Sequence, residues 1–164
     1  MFLILCLLAL NCAAHGTQSK FYVDIDNKTS SFRLLVDSKP WLVSGNTFFS
    51  HDGHQYSTAD QTLKLLIVAS ETGEDQVGRW HKTAFDYQGG TLSVKTSIKT
   101  YDTPQLPLAI FSQTYIGPAT NTSSHDVNSV ISSFPSFRTL PSENLGYLSY
   151  AGDMVGYKKL SIGR

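Results

Sequence analysis

The sequence predicts an all-β fold, an antiparallel β-sandwich, on three observations. Almost every segment between Phe21 and Tyr157 alternates apolar and polar residues with the period of two that is typical of strands. Turn-forming residues recur about every ten positions, which divides the chain into roughly nine to eleven short strands. No segment shows a sustained helical period, so we expect one all-β domain.

Residues 1–16 are predicted to be a signal peptide that precedes this domain. They form an apolar run followed by small residues, with the best cleavage points after Ala14 or Gly16. The run is too short to span a bilayer, and no later apolar run is long enough for a membrane helix. The alternative interpretation of this segment is a buried N-terminal strand. With a cleaved leader, the protein is expected to be secreted, either extracellular or lumenal.

The composition of the chain argues against a disulfide in residues 17–164 and against several kinds of binding partner. Both cysteines, Cys6 and Cys12, lie in the leader, so this domain is expected to have no disulfide. The 13 basic and 13 acidic residues of the chain are scattered singly, which argues against nucleic acid or a polybasic membrane patch as partner. The Asn-x-Ser/Thr sequons at Asn27 and Asn121 predict two N-glycans in polar loops.

Two hairpins are predicted in the first half of the domain. Asp37–Pro40 has a turn composition, and the Asp52–Gly53 pair supplies the positive φ that a tight hairpin needs. The strands predicted in this half are Phe21–Asp26, Phe32–Val36, Trp41–Val43, Phe48–Phe49 and Gln55–Ser57.

The most apolar run of the domain, Thr62–Ala69, is predicted to be a central strand, and Glu71–Gly78 a solvated acidic loop. Arg79–Tyr87 and Thr91–Tyr101 are expected to pair across Gln88–Gly90. In the second of these strands one face is expected in the core and the other in water. The core face carries Leu92, Val94, Thr96 and Ile98, and the wet face Ser93, Lys95, Ser97 and Lys99.

The last third continues the same pattern. Leu108–Tyr115 is predicted to be a buried strand. Val130–Phe137 is a second β-rich run, which must end, bulge or lie on an edge at Pro135 because proline cannot donate to a sheet ladder. Tyr147–Tyr150 is expected to pair with Met154–Tyr157.

No motif in the sequence predicts catalysis, a metal site or a cofactor. His51 and His54 are zinc-ligand types, but a site needs three or four converging ligands. We therefore interpret them as flanking a turn, with both rings pointing into water. Glycoside hydrolysis needs two suitably spaced acids, and no spacing singles out a pair. The available carboxylates are Glu71, Glu74, Asp75, Asp86, Asp126 and Asp153, for which a solvated-loop role is expected.

Aromatic side chains provide the remaining candidate for a binding site. An aromatic face offers apolar area to the C–H face of a sugar ring, and Trp41 and Trp80 are the candidate sugar-stacking residues. The alternative is that these rings belong to the core, as most aromatics of a β-sandwich do. The aromatic residues weighed in this way are Trp41, Trp80, Tyr87, Tyr115, Tyr147 and Tyr150.

Several short stretches, in this order along the chain, resemble a known domain. The stretches are Lys39–Gly45, Tyr56–Asp60, Leu63–Leu65, Gly78–Trp80, Ile110–Thr114, Val130–Phe137 and Leu145–Tyr150. They resemble the N-terminal β-domain of secreted glycosidase-like proteins of the α-galactosidase (melibiase-type) superfamily. The resemblance implies part of a β-supersandwich that precedes a (β/α)₈ barrel. It also implies that the catalytic carboxylates belong to that barrel, so none is carried over to this chain.

The sequence therefore predicts a non-catalytic β-sandwich portion of a secreted glycoside-hydrolase-like protein, with a structural or carbohydrate-associated role. The alternative is a free-standing secreted carbohydrate-binding or adhesion module. Under the first prediction the sandwich is incomplete at its C-terminal end. Unpaired C-terminal strands would then make the chain self-associate.

Overall fold

The computed structural model describes residues 5–8, 21–101, 108–120, 132–139, 147–150 and 160–163. Every regular element in this part of the chain is a β-strand, and none is a helix that could cross a membrane. The strands are β1 (Leu5–Leu8), β2 (Phe21–Asp26), β3 (Ser31–Val36), β4 (Lys39–Ser44), β5 (Phe48–His51), β6 (His54–Ser57), β7 (Lys64–Glu74), β8 (Arg79–Gly89), β9 (Leu92–Tyr101), β10 (Leu108–Ile116), β11 (Phe137–Thr139), β12 (Tyr147–Tyr150) and β13 (Leu160–Gly163).

Two larger sheets and two separate hairpins make up the described fold. The first sheet has the order β1-β10-β9-β8-β7, and the second has the order β11-β4-β3-β2. The strands β5 and β6 form one two-stranded hairpin sheet, and β12 and β13 form the other. All of these pairings are antiparallel. The predicted all-β, antiparallel sandwich is confirmed.

Aromatic rings join the two larger sheets. Phe32 of β3 lies 5.3 Å, centre to centre, from Phe111 of β10. The ring of Phe137 is 5.7 Å from each of these two, and Phe134 is 6.2 Å from each. These separations are those of offset and edge-to-face aromatic pairs. The buried core comprises Phe32, Leu34, Phe49, Leu63, Phe85, Tyr87, Leu92, Val94, Ile98, Ala109, Phe111 and Phe134.

The strand β9 confirms the predicted alternation on its core face. The four residues Leu92, Val94, Thr96 and Ile98 are all buried, and Lys95 on the other face is exposed. The expectation of a wet face is wrong at Ser97, which is buried. Ser97 lies in the interior of the sheet, between Ala84 of β8 and Ser112 of β10.

The two predicted hairpins in the first half are confirmed, and both turns have positive φ at their two central residues. Asp52 and Gly53 have φ of 50° and 76°, and Asp37 and Ser38 have φ of 51° and 65°. This conformation is the two-residue turn whose twist matches that of the flanking strands. The hairpin of β5 and β6 therefore has its register set locally, with His51 directly opposite His54.

The prediction that Thr62–Ala69 forms a central strand is wrong. From Lys64 onwards the run belongs to β7, which lies at the edge of the first sheet. A register shift between Leu65 and Ile67 leaves Leu66 60% exposed and Ile67 57% exposed. Apolar composition alone does not tell a central strand from an edge strand, because a bulge can turn apolar side chains towards water.

The predicted acidic loop Glu71–Gly78 is also corrected. The strand β7 continues to Glu74, and only the four residues from Asp75 to Gly78 form the turn into β8. Each acidic residue of this part of β7 faces a basic residue of β8, Glu71 opposite Lys82 and Glu74 opposite Arg79. Opposite charges on directly paired positions stabilise a ladder, which explains why polar composition did not end the strand.

Both ends of the chain contain short described strands. Leu5–Leu8 pairs antiparallel with Leu108–Phe111, which corresponds to the alternative interpretation of the N-terminal segment as a strand. Cleavage after Ala14 or Gly16 stays a prediction. At the other end, β12 pairs with Leu160–Gly163. The expected partner Met154–Tyr157 lies outside the described residues.

Val130 and Ile131 of the predicted run Val130–Phe137 lie outside the described residues, and the rest of the run meets the constraint set by Pro135. Ser132 makes an isolated bridge to Phe49, and β11 begins only after Pro135, at the edge of the second sheet. The segment between Ser132 and β11 also contacts the β5–β6 hairpin, because the Ser133 N–H donates a hydrogen bond to the Phe48 carbonyl at 2.9 Å.

Candidate functional site

Trp41 lies on the outer face of the second sheet, away from the core. Leu34 pairs with Leu42 and Leu35 pairs with Pro40, so Trp41 is the extra residue of a β-bulge in β4. Its side chain is 48% exposed. The interpretation of Trp41 as a core residue is therefore wrong.

Tyr22 is on the same outer face, two strands away. Its neighbours Phe21 and Val23 pack against the core, so alternation along β2 turns Tyr22 outwards, where it is 43% exposed. Tyr22 pairs with Leu35 of β3, which in turn pairs with Pro40 of β4. Tyr22, Leu35, Pro40 and Trp41 form what we call the outer row.

A second row of polar side chains runs beside the outer row. Asp24 of β2 pairs with Arg33 of β3, and these two side chains form an ion pair in which Arg33 Nε donates to Asp24 Oδ2 at 3.1 Å. Both side chains are about half exposed. The row therefore presents hydrogen-bonding groups at the surface next to two exposed aromatic rings.

Trp80, the second candidate sugar-stacking residue, lies at one end of the first sheet. Its indole lies against Gly73, where a Cβ atom would come within 2.4 Å of the ring. The Lys99 ammonium lies 4.6 Å from the ring centre, in cation–π range. Trp80 is partly buried, and its ring already has partners from β7 and β9, so it is less open to a ligand than Trp41.

A surface cleft of about 440 Å³ adjoins Trp80. It lies at the end of the β7–β8 hairpin, where the strands carry charged and polar side chains. The cleft is lined by Thr72, Gly73, Glu74, Arg79, Trp80 and His81. Glu74 and Arg79 are directly opposite each other, so the cleft presents one acid beside one base and no pair of acids within its lining.

The other carboxylates weighed for catalysis are paired with lysines. Asp75 Oδ2 is 2.7 Å from Lys99 Nζ, Asp86 Oδ1 is 3.3 Å from Lys95 Nζ, and Glu71 Oε2 is 3.5 Å from Lys82 Nζ. A general acid for glycoside hydrolysis must be free to reach the leaving oxygen, and each of these three carboxylates is already paired with an ammonium. Asp126 and Asp153 lie outside the described residues.

Asp75 has the strongest set of partners among these acids. Hydrogen bonds from Lys99, from the Val77 N–H and from the Tyr101 hydroxyl lower the pKa of its carboxyl to about 2, from an ordinary 3.8. The Asp75 carboxylate thus links the turn after β7 to the end of β9. It also holds in place the Lys99 ammonium that faces Trp80.

We predict that Asp75 makes the fold sensitive to strong acid. Because its pKa is lower in the folded chain, its contribution is complete above about pH 4 and is lost as the pH falls towards 2. Asp75→Asn should lower the thermal midpoint at pH 7 and reduce its fall between pH 4 and pH 2. Glu71→Gln, on the preceding strand β7, is the control. An unchanged acid profile in Asp75→Asn would contradict this assignment.

The two histidines of the β5–β6 hairpin differ from each other, and the prediction that both point into water is wrong for His51. His51 is 6% exposed, and its Nδ1 accepts a hydrogen bond from the Thr120 N–H at 3.3 Å. Its Nε2 lies 3.2 Å from the Thr91 hydroxyl. His54 is exposed as expected. Within the described residues no group of three or more metal-ligating side chains converges.

The structure describes one of the two predicted glycosylation sites and the side chains of two of the tyrosines considered for sugar stacking. Asn27 is exposed in the turn between β2 and β3. Asn121 lies outside the described residues. Tyr87 and Tyr115 pack in or against the core, and burial raises the pKa of both phenols.

Sequence reasoning missed Tyr22, although the signal was present. Once Phe21, Val23 and Ile25 are assigned to the core, the period of two places Tyr22 on the opposite face. No such signal was available for Trp41, because the bulge that exposes it depends on the pairing of β4 with β3.

No family model matches the chain, and no curated protein or solved structure is detectably similar to it. The resemblance to the N-terminal β-domain of α-galactosidase-type proteins stays a prediction. What the fold itself defines is an antiparallel β-sandwich with an exposed aromatic row on one outer face.

Proposed function

We propose that the chain is a non-catalytic, carbohydrate-associated β-sandwich module of a secreted glycoside-hydrolase-like protein. The observation that carries the proposal is the exposure of Trp41 in the outer row, on a sheet face whose opposite side is the core. A large aromatic ring held at the surface is costly to hydrate and is suited to stacking on the C–H face of a sugar.

The surroundings of Trp41 support a sugar ligand over an apolar one. A sugar ring has one apolar face and a rim of hydroxyls, so its site needs an aromatic surface with hydrogen-bonding groups beside it. Asp24 and Arg33 are such groups, one row away on the same face. The lysine partners of Glu71, Asp75 and Asp86 support the non-catalytic part of the proposal.

A free-standing carbohydrate-binding or adhesion module is the second candidate. The aromatic core closed between Phe32 and Phe111 favours it, because a sandwich with its own core can fold independently. Both candidates use the outer row for binding. They differ in whether a catalytic barrel accompanies the module.

The proposal is tested on a glycan array with secreted protein. The wild type should bind at least one glycan class, and Trp41→Ala should weaken that binding at least tenfold while keeping its thermal midpoint within a few degrees. Trp80→Ala is the matched control and should retain binding. An array without any bound glycan, or equal binding by Trp41→Ala and wild type, would contradict the proposal.

A further inference from the structure

The edges of the two larger sheets differ in how well they are protected against pairing with a further strand. Natural edge strands carry charges or bulges, or are very short, because an open row of backbone groups invites another strand. The edge strand β7 has three charged residues and a register shift, β2 has two aspartates, and β11 is three residues long. These three edges are therefore protected.

The strand β10 has none of these protections. Its nine residues include no charged side chain and no proline, and its register with β9 runs from Ala109 to Ile116 without a shift. On the other side of β10, within the described residues, only Leu108–Phe111 is paired, and its partner is the short strand β1. The rest of β10 thus presents a regular, uncharged edge in the described part of the chain.

The pairing with β1 shows what kind of strand this edge accepts. The strand β1 lies antiparallel to β10, carries no charge and covers four of its nine residues. Because residues 1–16 are predicted to be cleaved, the chain without its leader loses β1, and no described strand then pairs with this side of β10. The newly opened edge includes Ala109 and Phe111, which are each 1% exposed in the described fold.

A second copy of β10 fits this edge in the antiparallel direction. When a two-fold axis passes through one residue, paired positions differ by an even number of residues, so apposed side chains share a face of the sheet. With the axis at Ser112 all nine residues of the strand overlap, and Ile110 of each copy lies opposite Thr114 of the other. Such β-branched pairs stabilise a ladder, and no like charges oppose each other in this register.

We propose that the chain without its leader forms a two-fold dimer in which β10 pairs with β10 of a second copy. The strands β7, β8, β9 and β10 of each copy then form one continuous sheet. The leader covers part of this edge until it is removed, so association follows cleavage. This inference does not depend on the proposed function, because the outer row lies on the second sheet.

The secreted protein is measured by size-exclusion chromatography with light scattering over a range of concentrations, after mass spectrometry of its N-terminus. We expect a dimer. Ser112→Lys places two lysines opposite each other at the axis and should raise the dimer dissociation constant at least tenfold. Ser70→Lys is the matched control, because Ser70 is exposed on the β7 edge of the same sheet, and it should dimerise as the wild type does.

A cysteine at the axis provides a second readout with a substitution that is close to isosteric. Directly paired strand positions are near enough for a disulfide, and both natural cysteines lie in the leader. Oxidised glutathione should therefore link Ser112→Cys into a covalent dimer and leave Ser70→Cys monomeric on a non-reducing gel.

Four outcomes would overturn the proposal. They are a monomeric wild type, a folded Ser112→Lys that dimerises as well as Ser70→Lys, a Ser112→Cys protein that does not cross-link, and a secreted protein that still carries residues 5–8. In the last case β1 already occupies this edge. The glycan-array result for Trp41→Ala is independent of all four outcomes.

Discussion

Phe111→Ala is expected to lower the free energy of unfolding by about 3–5 kcal/mol, the usual cost of truncating a buried phenylalanine. Phe111 of β10 contacts Phe32 of β3 and the rings of Phe134 and Phe137, so it joins the first sheet to the second. The substitution would leave a cavity between the two sheets, and no disulfide among the described residues links these sheets. Since a domain has only about 5–15 kcal/mol in total, this loss would remove a large share of its stability.

Urea denaturation followed by far-ultraviolet circular dichroism measures this loss. Ile116→Ala is the matched control, because it lies on the same strand but is exposed, and it should change stability by no more than about 0.5 kcal/mol. A Phe111→Ala protein as stable as Ile116→Ala would show that the sheets do not pack through this cluster.

His51→Ala should cost about 1–3 kcal/mol, through hydrogen-bonding groups that lose their partner. Because Nδ1 accepts from the Thr120 N–H, the proton of the neutral ring is on Nε2, which donates to Thr91. The ring thus connects the β5–β6 hairpin to the turn between β8 and β9 and to the segment after β10. Its loss should loosen three segments that are far apart in the sequence.

His54→Ala provides a control from the same hairpin. His54 is directly opposite His51 but exposed, so its truncation should change the free energy of unfolding by about 0.5 kcal/mol or less. Chemical denaturation of both variants at pH 7.5 makes the comparison. Equal losses in the two variants would mean that the His51 hydrogen bonds add nothing to stability.

The local features of the fold could be predicted well from the sequence. The Asp52–Gly53 turn, the β8–β9 hairpin and the core face of β9 all follow from interactions between residues near one another in the chain. The position of β7 could not be predicted in this way. Whether a strand is central or at an edge depends on which other strands pair with it, and those are distant in the sequence.

The same distinction between local and long-range interactions applies to the candidate site. The sequence by itself determined the class of fold, the turns and the set of aromatic residues from which a sugar site could be built. Only the tertiary structure decided that Trp41 is open, that Trp80 is covered by Gly73 and Lys99, and that His51 is buried. The physical reason is that a period of two sorts side chains onto two faces but does not say which face another sheet covers.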